Sequence, residues 1–296
     1  MPRPLAEYTL ADWGRLRPIL HAMKARRYRR VTDHFTAQPA RLGDLAALPR
    51  RIEGARLIVT IAFNDPEILE RQIGALRRFV TGALHLVADN SSDDAAALRL
   101  EALCARTSTP YLRLPANPWG PKSASRSHGL ALDWVWRNLI RPGRPQMFGF
   151  LDHDLIPTAP CDPFEPLARQ GVHGDKRWAG ERWFLWAGYC FFRPEALEGA
   201  RVDFGQDWFV GLDTGGGNWA PVYSRLDPAS LEDRPIEAVA ALPGVPVAEC
   251  YFERRGEWLH EVGFGGRPDL KAAKRRQFLA LIDAALAPGA DGGVQA

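Results

Sequence analysis

The sequence lacks the patterns that define membrane, secreted and zinc-binding proteins. It has no run of about 18 uncharged apolar residues, and its first residues contain no apolar stretch of signal-peptide length. Its four cysteines lie far apart, without C-x-x-C spacing, which argues against a structural zinc site and a disulfide framework. We therefore expect a cytoplasmic protein with buried, reduced thiols and no transmembrane segment.

The sequence also has little excess charge. Its 38 basic and 35 acidic side chains leave a net charge of +3, which is too small to support nucleic-acid binding through phosphate neutralisation. The 296 residues, of which 46% are hydrophobic, are enough for one large core. These properties predict a single α/β domain with extensions and no nucleic-acid partner.

Strand and helix patterns alternate along the first half of the chain. An apolar run rich in β-branched residues reads as a buried strand, and Asp65 and Pro66 then provide the N-cap and first turn of a helix. Alternation of this kind predicts a mostly parallel sheet with helices on both faces. The predicted strands cover residues 57–63, 83–90, 111–114 and 146–156, and the predicted helices cover residues 67–80, 95–106 and 128–139.

The pattern divides the chain into three parts. Residues 1–50 are expected to form a helical extension, residues 51–268 the main domain, and residues 269–296 a helix and tail. Within the main domain, residues 51–157 carry the regular alternation and residues 158–268 form an irregular second half. The basic run KARRYRR at residues 24–30 is most simply a solvated helix face, and contact with an anionic membrane surface or with a phosphate is the alternative.

The segment FLDHDLIP carries two carboxylates, Asp152 and Asp154, just after a buried strand. Open α/β sheets bind ligands at the carboxyl ends of their strands. Two carboxylates beside one crevice repel each other unless a cation separates them, and hard divalent ions prefer such oxygen ligands. The pattern predicts a Mg²⁺ or Mn²⁺ site, and a solvated turn is the alternative.

Residues 56–200 resemble the A-type glycosyltransferases, and family-two-like enzymes above all. The resemblance lies in the D-x-D after an apolar strand and in the earlier strand that ends in Asp-Asn-Ser-Ser. It implies the Rossmann-like GT-A fold with an acceptor-binding second half. It further implies that Asn64 lies near the nucleoside, that Asp89 contacts uracil or ribose with Asn90 also in the nucleotide-binding site, and that Asp152 and Asp154 bind the metal and the diphosphate. A UDP-sugar is the donor that this resemblance favours.

Two further stretches are similar to motifs of the same family. NPWGPKSASRSHG resembles N-x-x-G followed by R-x-x-G, with Asn117, Gly120, Arg126 and Gly129 at the matching positions. Arg126 could face the nucleotide from a helix entrance at which Ser127 is a suitable N-cap. WLHEVGFGGRP resembles the late H-x-x-G region, which implies that His260 is a third metal ligand and favours manganese.

A catalytic base is expected across the crevice from the metal. Asp213, in GLDTGGGNW, is the first candidate and Asp207 is the second, with Trp208 and Trp219 as platforms for a sugar. Gly188 would leave room for the donor sugar. The sequence lacks the E-D pair and the Q-x-x-R-W run of family-two enzymes, so the base and the stereochemical outcome stay open.

These observations predict a metal-dependent glycosyltransferase that moves a sugar from a nucleotide-sugar to an unidentified acceptor. One alternative is a nucleotidyltransferase, which should carry a Gly-rich basic loop after the first strand. The loop here, AFNDPEIL, has neither glycine nor a basic residue. The other alternative is a non-catalytic nucleotide- or sugar-binding protein on the same scaffold.

Overall fold

The computed structural model describes residues 4–207, 209–263 and 267–288. The final residues of the predicted tail, and residues 264–266 of the Gly-rich turn after His260, lie outside these ranges. The α-helices are α1 (Leu10–Gly14), α2 (Arg17–Thr36), α3 (Leu48–Ile52), α4 (Pro66–Phe79), α5 (Asp94–Arg106), α6 (Ala124–Val135), α7 (Arg141–Gly143) and α8 (Lys271–Leu286). A π-helical turn, Trp136–Ile140, joins α6 to α7.

Most strands belong to one central sheet, and the others form a smaller sheet and a hairpin. The strands are β1 (Arg56–Ala62), β2 (Leu84–Asp89), β3 (Tyr111–Arg113), β4 (Met147–Asp152), β5 (Leu155–Pro157), β6 (Val172–Ala179), β7 (Arg182–Phe192), β8 (Gln206–Asp207), β9 (Leu212–Thr214), β10 (Glu237–Ala240), β11 (Tyr251–Arg255) and β12 (Trp258–His260).

The central sheet has the strand order β3-β2-β1-β4-β7-β6. Strands β3, β2, β1 and β4 are parallel, and β7 and β6 complete the sheet in antiparallel pairing. Helices separate the parallel strands, because a parallel connection has to cross over the sheet. The predicted α/β fold with a mostly parallel sheet is confirmed.

Helices cover both faces of this sheet. Leu57 and Val59 of β1 pack into a core with Trp134 of α6. The alternate residue Ile58 faces the opposite side, where it packs with Leu76 of α4. Because side chains alternate across a strand, a strand buried on both faces is continuously apolar, and this is the sequence pattern of β1.

The predicted start of α4 is confirmed. The Asp65 carboxylate accepts a hydrogen bond from the backbone N–H of Ile68, and Pro66 occupies the first helical position. An N-terminal aspartate both satisfies a free N–H group and complements the positive end of the helix dipole. The end of β1 is thereby fixed next to the turn that follows it.

Two sequence predictions of local structure are wrong. Residues 146–156 do not form one strand, because β4 ends at Asp152, residues 153 and 154 form a turn, and β5 joins the smaller sheet β10-β11-β12-β5. The helix that was expected to begin at His128, after an N-cap at Ser127, begins four residues earlier, at Ala124. Ser127 is buried inside α6, where its hydroxyl accepts a hydrogen bond from Asn90 instead of capping the helix.

The terminal helices pack against the main sheet layers. The helix α2 packs on α6, and α8 packs on α4 through Phe278 and Ile282, which share a core with Ile68 and Phe79. No helix in the described part of the chain is long and apolar enough to cross a membrane.

Candidate active site

A cavity of about 390 Å³ opens at the carboxyl ends of the parallel strands. The strands β1 and β4 and the loop after β2 contribute its floor, and the start of α6 forms one wall. This is the edge at which open α/β sheets bind ligands. The residues that line it include Asn90, Ala124, Ser125, Ser127, His128, Asp152, His153, Asp154, Trp186, Asp213, Thr214 and His260.

Three side chains in this cavity form a cluster that could hold a metal ion. Ligand atoms of Asp152, Asp154 and His260 all lie within 4.8 Å of one another. Asp152 is the last residue of β4, and Asp154 lies in the turn that follows. His260 arrives from β12, which pairs with β5 in the register His260 to Leu155. The backbone N–H of Glu261 also bonds the Asp154 carbonyl at 3.1 Å, so strand pairing holds the three groups together.

His260 is buried between two carboxylates. Its Nε2 lies 3.5 Å from Asp154, and its Nδ1 lies 3.2 Å from Glu253 of β11. Burial alone would favour the neutral ring, but Asp154 and Glu253 outweigh it and raise the pKa of His260 to about 10. Burial likewise opposes the charged form of Asp154, whereas the facing His260 ring lowers the pKa of that carboxyl.

The donor set fits a divalent cation. Two carboxylates and an imidazole combine oxygen ligands with a nitrogen ligand, and this combination suits Mn²⁺ better than Mg²⁺. The hydrogen bond between Nδ1 of His260 and Glu253 leaves Nε2 directed at Asp154, which is the carboxylate–histidine arrangement that orients metal-bound imidazoles. A bound cation would take the place of the positive charge that the His260 proton now supplies.

A buried glutamine holds the turn that carries the two aspartates. Gln72, on the sheet-facing side of α4, is fully buried and donates hydrogen bonds to the carbonyls of Asp152 (2.7 Å) and Leu155 (2.9 Å). Its own carbonyl accepts from Thr60 of β1. Sequence reasoning missed Gln72, although a polar residue within the apolar stripe of α4 is a readable signal.

His128 is a second residue that sequence reasoning missed. It lies in α6, lines the cavity and faces Asp152. Its Nε2 is buried and has no hydrogen-bond partner among the described residues. A buried nitrogen without a partner is costly in an apolar setting, so a polar ligand in the cavity is the natural partner for His128. His153 also lines the cavity. In a continuous strand it would point away from Asp152 and Asp154, but it lies in a turn, where side chains do not alternate.

The polar residues after β1 and β2 divide into two groups. Asn90 lines the cavity, and its amide binds Ser127 of α6 at 2.9 Å. Asp89 is buried below and accepts hydrogen bonds from Tyr111 and from the backbone of Ser91. Asn64, at a left-handed φ of 55°, accepts from the backbone N–H groups of residues 92 and 93. Asp89 and Asn64 therefore hold the loop after β2 in place, and Asn90 is the residue of the three that lines the cavity.

Arg126 and the two candidate bases occupy different positions. The Arg126 guanidinium lies over the Trp119 ring at 4.9 Å and is not among the cavity-lining residues. Asp213 of β9 does line the cavity, and its carboxylate accepts a hydrogen bond from Gln206 at 2.8 Å. Asp207 of β8 is buried outside it, with its carboxylate 3.8 Å from Arg182. Burial raises the pKa of Asp207, and Arg182 opposes this shift.

The aromatic wall of the cavity comes from β7. Trp186 packs against His260 with 5.0 Å between ring centroids and an angle of 41° between the ring planes. Gly188 allows this contact, because a Cβ at that position would lie 2.2 Å from the Trp186 ring. The space beside Gly188 is therefore filled by Trp186 and not by a donor sugar. Of the two predicted stacking residues, Trp219 packs half-buried against the core, and Trp208 lies outside the described residues.

No protein-family model matches this sequence, and no curated protein matches it. Solved structures that resemble the chain include the following two. The crystal structure of S. aureus TarS is 14% identical with a TM-score of 0.34, over 51% of this chain and 30% of TarS, so the chain spans less than a third of that protein. The mannosyltransferase PcManGT from Pyrobaculum calidifontis, in complex with GDP-Man and Mn²⁺, is 13% identical with a TM-score of 0.40, over 90% of this chain and 83% of PcManGT. Similarity of this degree identifies neither a family nor an activity.

Proposed function

We propose that this chain is a metal-dependent A-type glycosyltransferase that uses a nucleotide-diphosphate sugar as its donor. The observation that carries the proposal is the convergence of Asp152, Asp154 and His260 at the ligand-binding edge of a parallel sheet. The end of β4 with its following turn and the strand β12, which are distant in sequence, meet there, and strand pairing and Gln72 hold them in place. A solvated turn, the simpler interpretation of the D-x-D, would not need a buried histidine facing both carboxylates.

Asp152, Asp154 and His260 would hold a divalent ion, with Mn²⁺ preferred over Mg²⁺ because of the imidazole ligand. When bound, such an ion supplies Lewis-acid stabilisation of the charge that develops on a departing diphosphate. Glu253 keeps the His260 ring oriented, and Trp186 shields one side of the ring from water. These two residues position ligands and take no part in bond breaking.

The first turn of α6 would bind the diphosphate. Ala124 and Ser125 line the cavity at the start of this 12-residue helix, where free backbone N–H groups and the helix dipole favour an anion. Asn90, on the opposite loop, would contact the nucleoside, with Asp89 and Asn64 fixing that loop from behind. Arg126 would contribute only after leaving its position over Trp119. The family resemblance favours UDP.

Asp213 would act as the general base. It is the candidate that faces the cavity, with an exposed carboxylate that can take a proton from an acceptor hydroxyl. Gln206 donates a hydrogen bond that fixes this carboxylate. Asp207 is buried beside Arg182, where it cannot reach an acceptor without moving the β8–β9 hairpin.

Thermal denaturation of the purified protein with UDP, GDP, CDP and ADP tests the proposal, with each nucleotide added in Mn²⁺ and in EDTA. A ligand at about 100 times its dissociation constant stabilises a protein by about 2.7 kcal/mol. We expect one nucleotide to raise the melting temperature in Mn²⁺ alone. Asp154→Asn should abolish the shift, whereas Asp283→Asn, a matched change on the exposed face of α8, should keep it.

Turnover of the donor distinguishes an enzyme from a binding protein, because both would show the nucleotide-dependent rise in melting temperature. Many transferases slowly hydrolyse their donor when no acceptor is present, so release of the nucleoside diphosphate in Mn²⁺ would support catalysis. Binding with no release over long incubation would favour a non-catalytic scaffold. No shift with any nucleotide, in protein shown to be folded, would contradict the proposal.

A further inference from the structure

The N-terminal helices expose an unusual set of apolar side chains. Seven of the eleven exposed large apolar side chains in the described part of the chain lie between residues 5 and 23. Leu10 is 91% exposed and Met23 is 64% exposed. We call this set the N-terminal apolar surface; it consists of Leu5, Leu10, Trp13, Leu16, Ile19, Leu20 and Met23. Scattered exposed leucines are normal, but a concentrated patch marks an interaction surface.

The outward side of α2 continues this surface with positive charge. Helical spacing places Ile19 and Met23 on the same side as Arg26, Arg27 and Arg30. These three arginines are exposed and form no ion pair with any described residue. The opposite side of α2 is buried in the protein through Ala25, Thr32 and Phe35. The apolar and basic side chains therefore face solvent because the fold holds them there.

Acidic groups in this region are few and already paired: Glu7 lies 2.6 Å from Arg182, and Asp33 lies 3.0 Å from Arg137. Residues 10–30 contain seven lysines and arginines and one acid, Asp12. Asp12 is buried, accepts a hydrogen bond from the backbone N–H of Thr9, the N-cap of α1, and pairs with Arg17 at 2.7 Å. Nothing acidic in this segment is left to neutralise Arg26, Arg27 and Arg30.

We infer that this face docks on an anionic membrane surface, with the N-terminal apolar surface in the headgroup region and the arginines on acidic lipids. Apolar side chains next to basic ones on a surface-lying helix are the combination that binds such interfaces. A second copy of the chain fits less well as the occupant, because a symmetric contact would bring one set of arginines towards another.

The docking face lies next to the acceptor side of the proposed site. His21, on α2, packs against Phe209 with 4.4 Å between ring centroids and an angle of 47° between the ring planes. Phe209 belongs to the turn between β8 and β9, and β9 carries the cavity-lining Asp213. A membrane bound at α1 and α2 would thus adjoin the element that presents Asp213, which suits an acceptor held in or near the bilayer surface.

Vesicle flotation with the full chain tests the inference. The vesicles are phosphatidylcholine alone, or equal parts phosphatidylcholine and phosphatidylglycerol, at low and at high salt. Each basic side chain near an anionic bilayer contributes about fivefold to binding, so the triple change Arg26→Gln, Arg27→Gln, Arg30→Gln should weaken it roughly a hundredfold. Ile19→Glu with Met23→Glu should abolish it. Leu98→Glu, on an equally exposed leucine of α5, should leave it unchanged.

The inference holds if the protein floats with the anionic vesicles, and floats less at high salt. It also requires that both N-terminal variants are folded and no longer float. No flotation of the wild type at low salt would overturn it. Flotation that survives both N-terminal variants would also overturn it. A dimer in solution that Met23→Glu dissociates would assign the face to a second copy. None of these results depends on nucleotide binding, so they leave the proposed function untouched.

Discussion

The imidazole Nε2 of His128 lies 3.4 Å from Oδ1 of Asp152. The geometry does not make a hydrogen bond, and Nε2 is shielded from solvent without a partner among the described residues. His128 and Asp152 come from α6 and β4, which lie next to each other at the mouth of the cavity. A group that binds between them would satisfy His128 and bring it into contact with the proposed nucleotide or with a metal-bound water.

We predict that His128→Asn weakens Mn²⁺-dependent nucleotide binding by about 10- to 100-fold, the range found when groups around metal ligands are removed. The loss follows because Asn is too short to reach the space beside Asp152. Isothermal titration with the nucleotide identified by thermal shift measures it. His34→Asn, an exposed histidine on α2, serves as the matched control. Unchanged affinity in His128→Asn would remove His128 from the site.

Asp213 and Asp207 should separate in their effects. Replacing a general base typically lowers turnover by about 10²- to 10⁴-fold, so we expect Asp213→Asn to lose turnover while it still binds nucleotide. Asp207→Asn should keep turnover close to that of the wild type, because Asp207 is buried beside Arg182 and does not line the cavity. Donor hydrolysis in Mn²⁺ gives the comparison. The reverse ranking would assign the base to Asp207.

Gln72 should matter for both stability and metal affinity. Gln72→Leu leaves the carbonyls of Asp152 and Leu155 without their donor, and the buried Leu155 carbonyl alone should cost about 1–3 kcal/mol when it is unsatisfied. The loosened turn should also bind Mn²⁺ less tightly. The control is Ile73→Met, a volume-conserving change at the next, also buried, position, expected to cost less than about 1.5 kcal/mol. Urea unfolding and Mn²⁺ titration of both variants measure these effects. Equal metal affinity in both would show that Gln72 is merely structural.

The sequence predicted the elements whose signals are local. The continuous apolar run of β1 identified a strand buried on both faces, and Asp65 marked the start of α4. The prediction that Ser127 caps a helix was wrong, although serine is a good N-cap residue. The Ser127 hydroxyl instead accepts a hydrogen bond from Asn90, which lies on another loop. The prediction of one strand over residues 146–156 was wrong because the turn at 153–154 depends on pairing between β5 and β12.

The site was predictable where its residues follow strands and less so where distant segments meet. Asp152 and Asp154 were found from their place after an apolar strand, and His260 from a motif. Glu253 was missed because its contact with His260 depends on the β11–β12 pairing, which no local pattern encodes. His128 was assigned only as the start of a helix, and nothing in the sequence shows which way its side chain points.

Replacing either of two helical glycines by alanine should change the stability of the protein, in opposite directions. At Gly129 of α6, an added Cβ would lie 2.8 Å from the Cα of Gly205 and 3.0 Å from the Phe204 carbonyl oxygen. At Gly74 of α4, it would meet only a Leu286 methyl at 3.6 Å, an ordinary contact. Alanine is favoured over glycine inside a helix by about 0.5–1 kcal/mol, so the surroundings decide the sign.

Gly129→Ala should therefore destabilise the protein by about 1–3 kcal/mol, because the clash is with backbone that cannot move aside as a side chain can. Gly74→Ala should stabilise it by up to about 1 kcal/mol. The residues that Gly129 touches lead directly into the β8–β9 hairpin, which carries Asp213. Displacing them should lower turnover in Gly129→Ala beyond what the fraction of unfolded protein explains. Chemical denaturation and donor hydrolysis measured on the same samples test both effects, and a stabilised, fully active Gly129→Ala would refute the close approach of α6 to that hairpin.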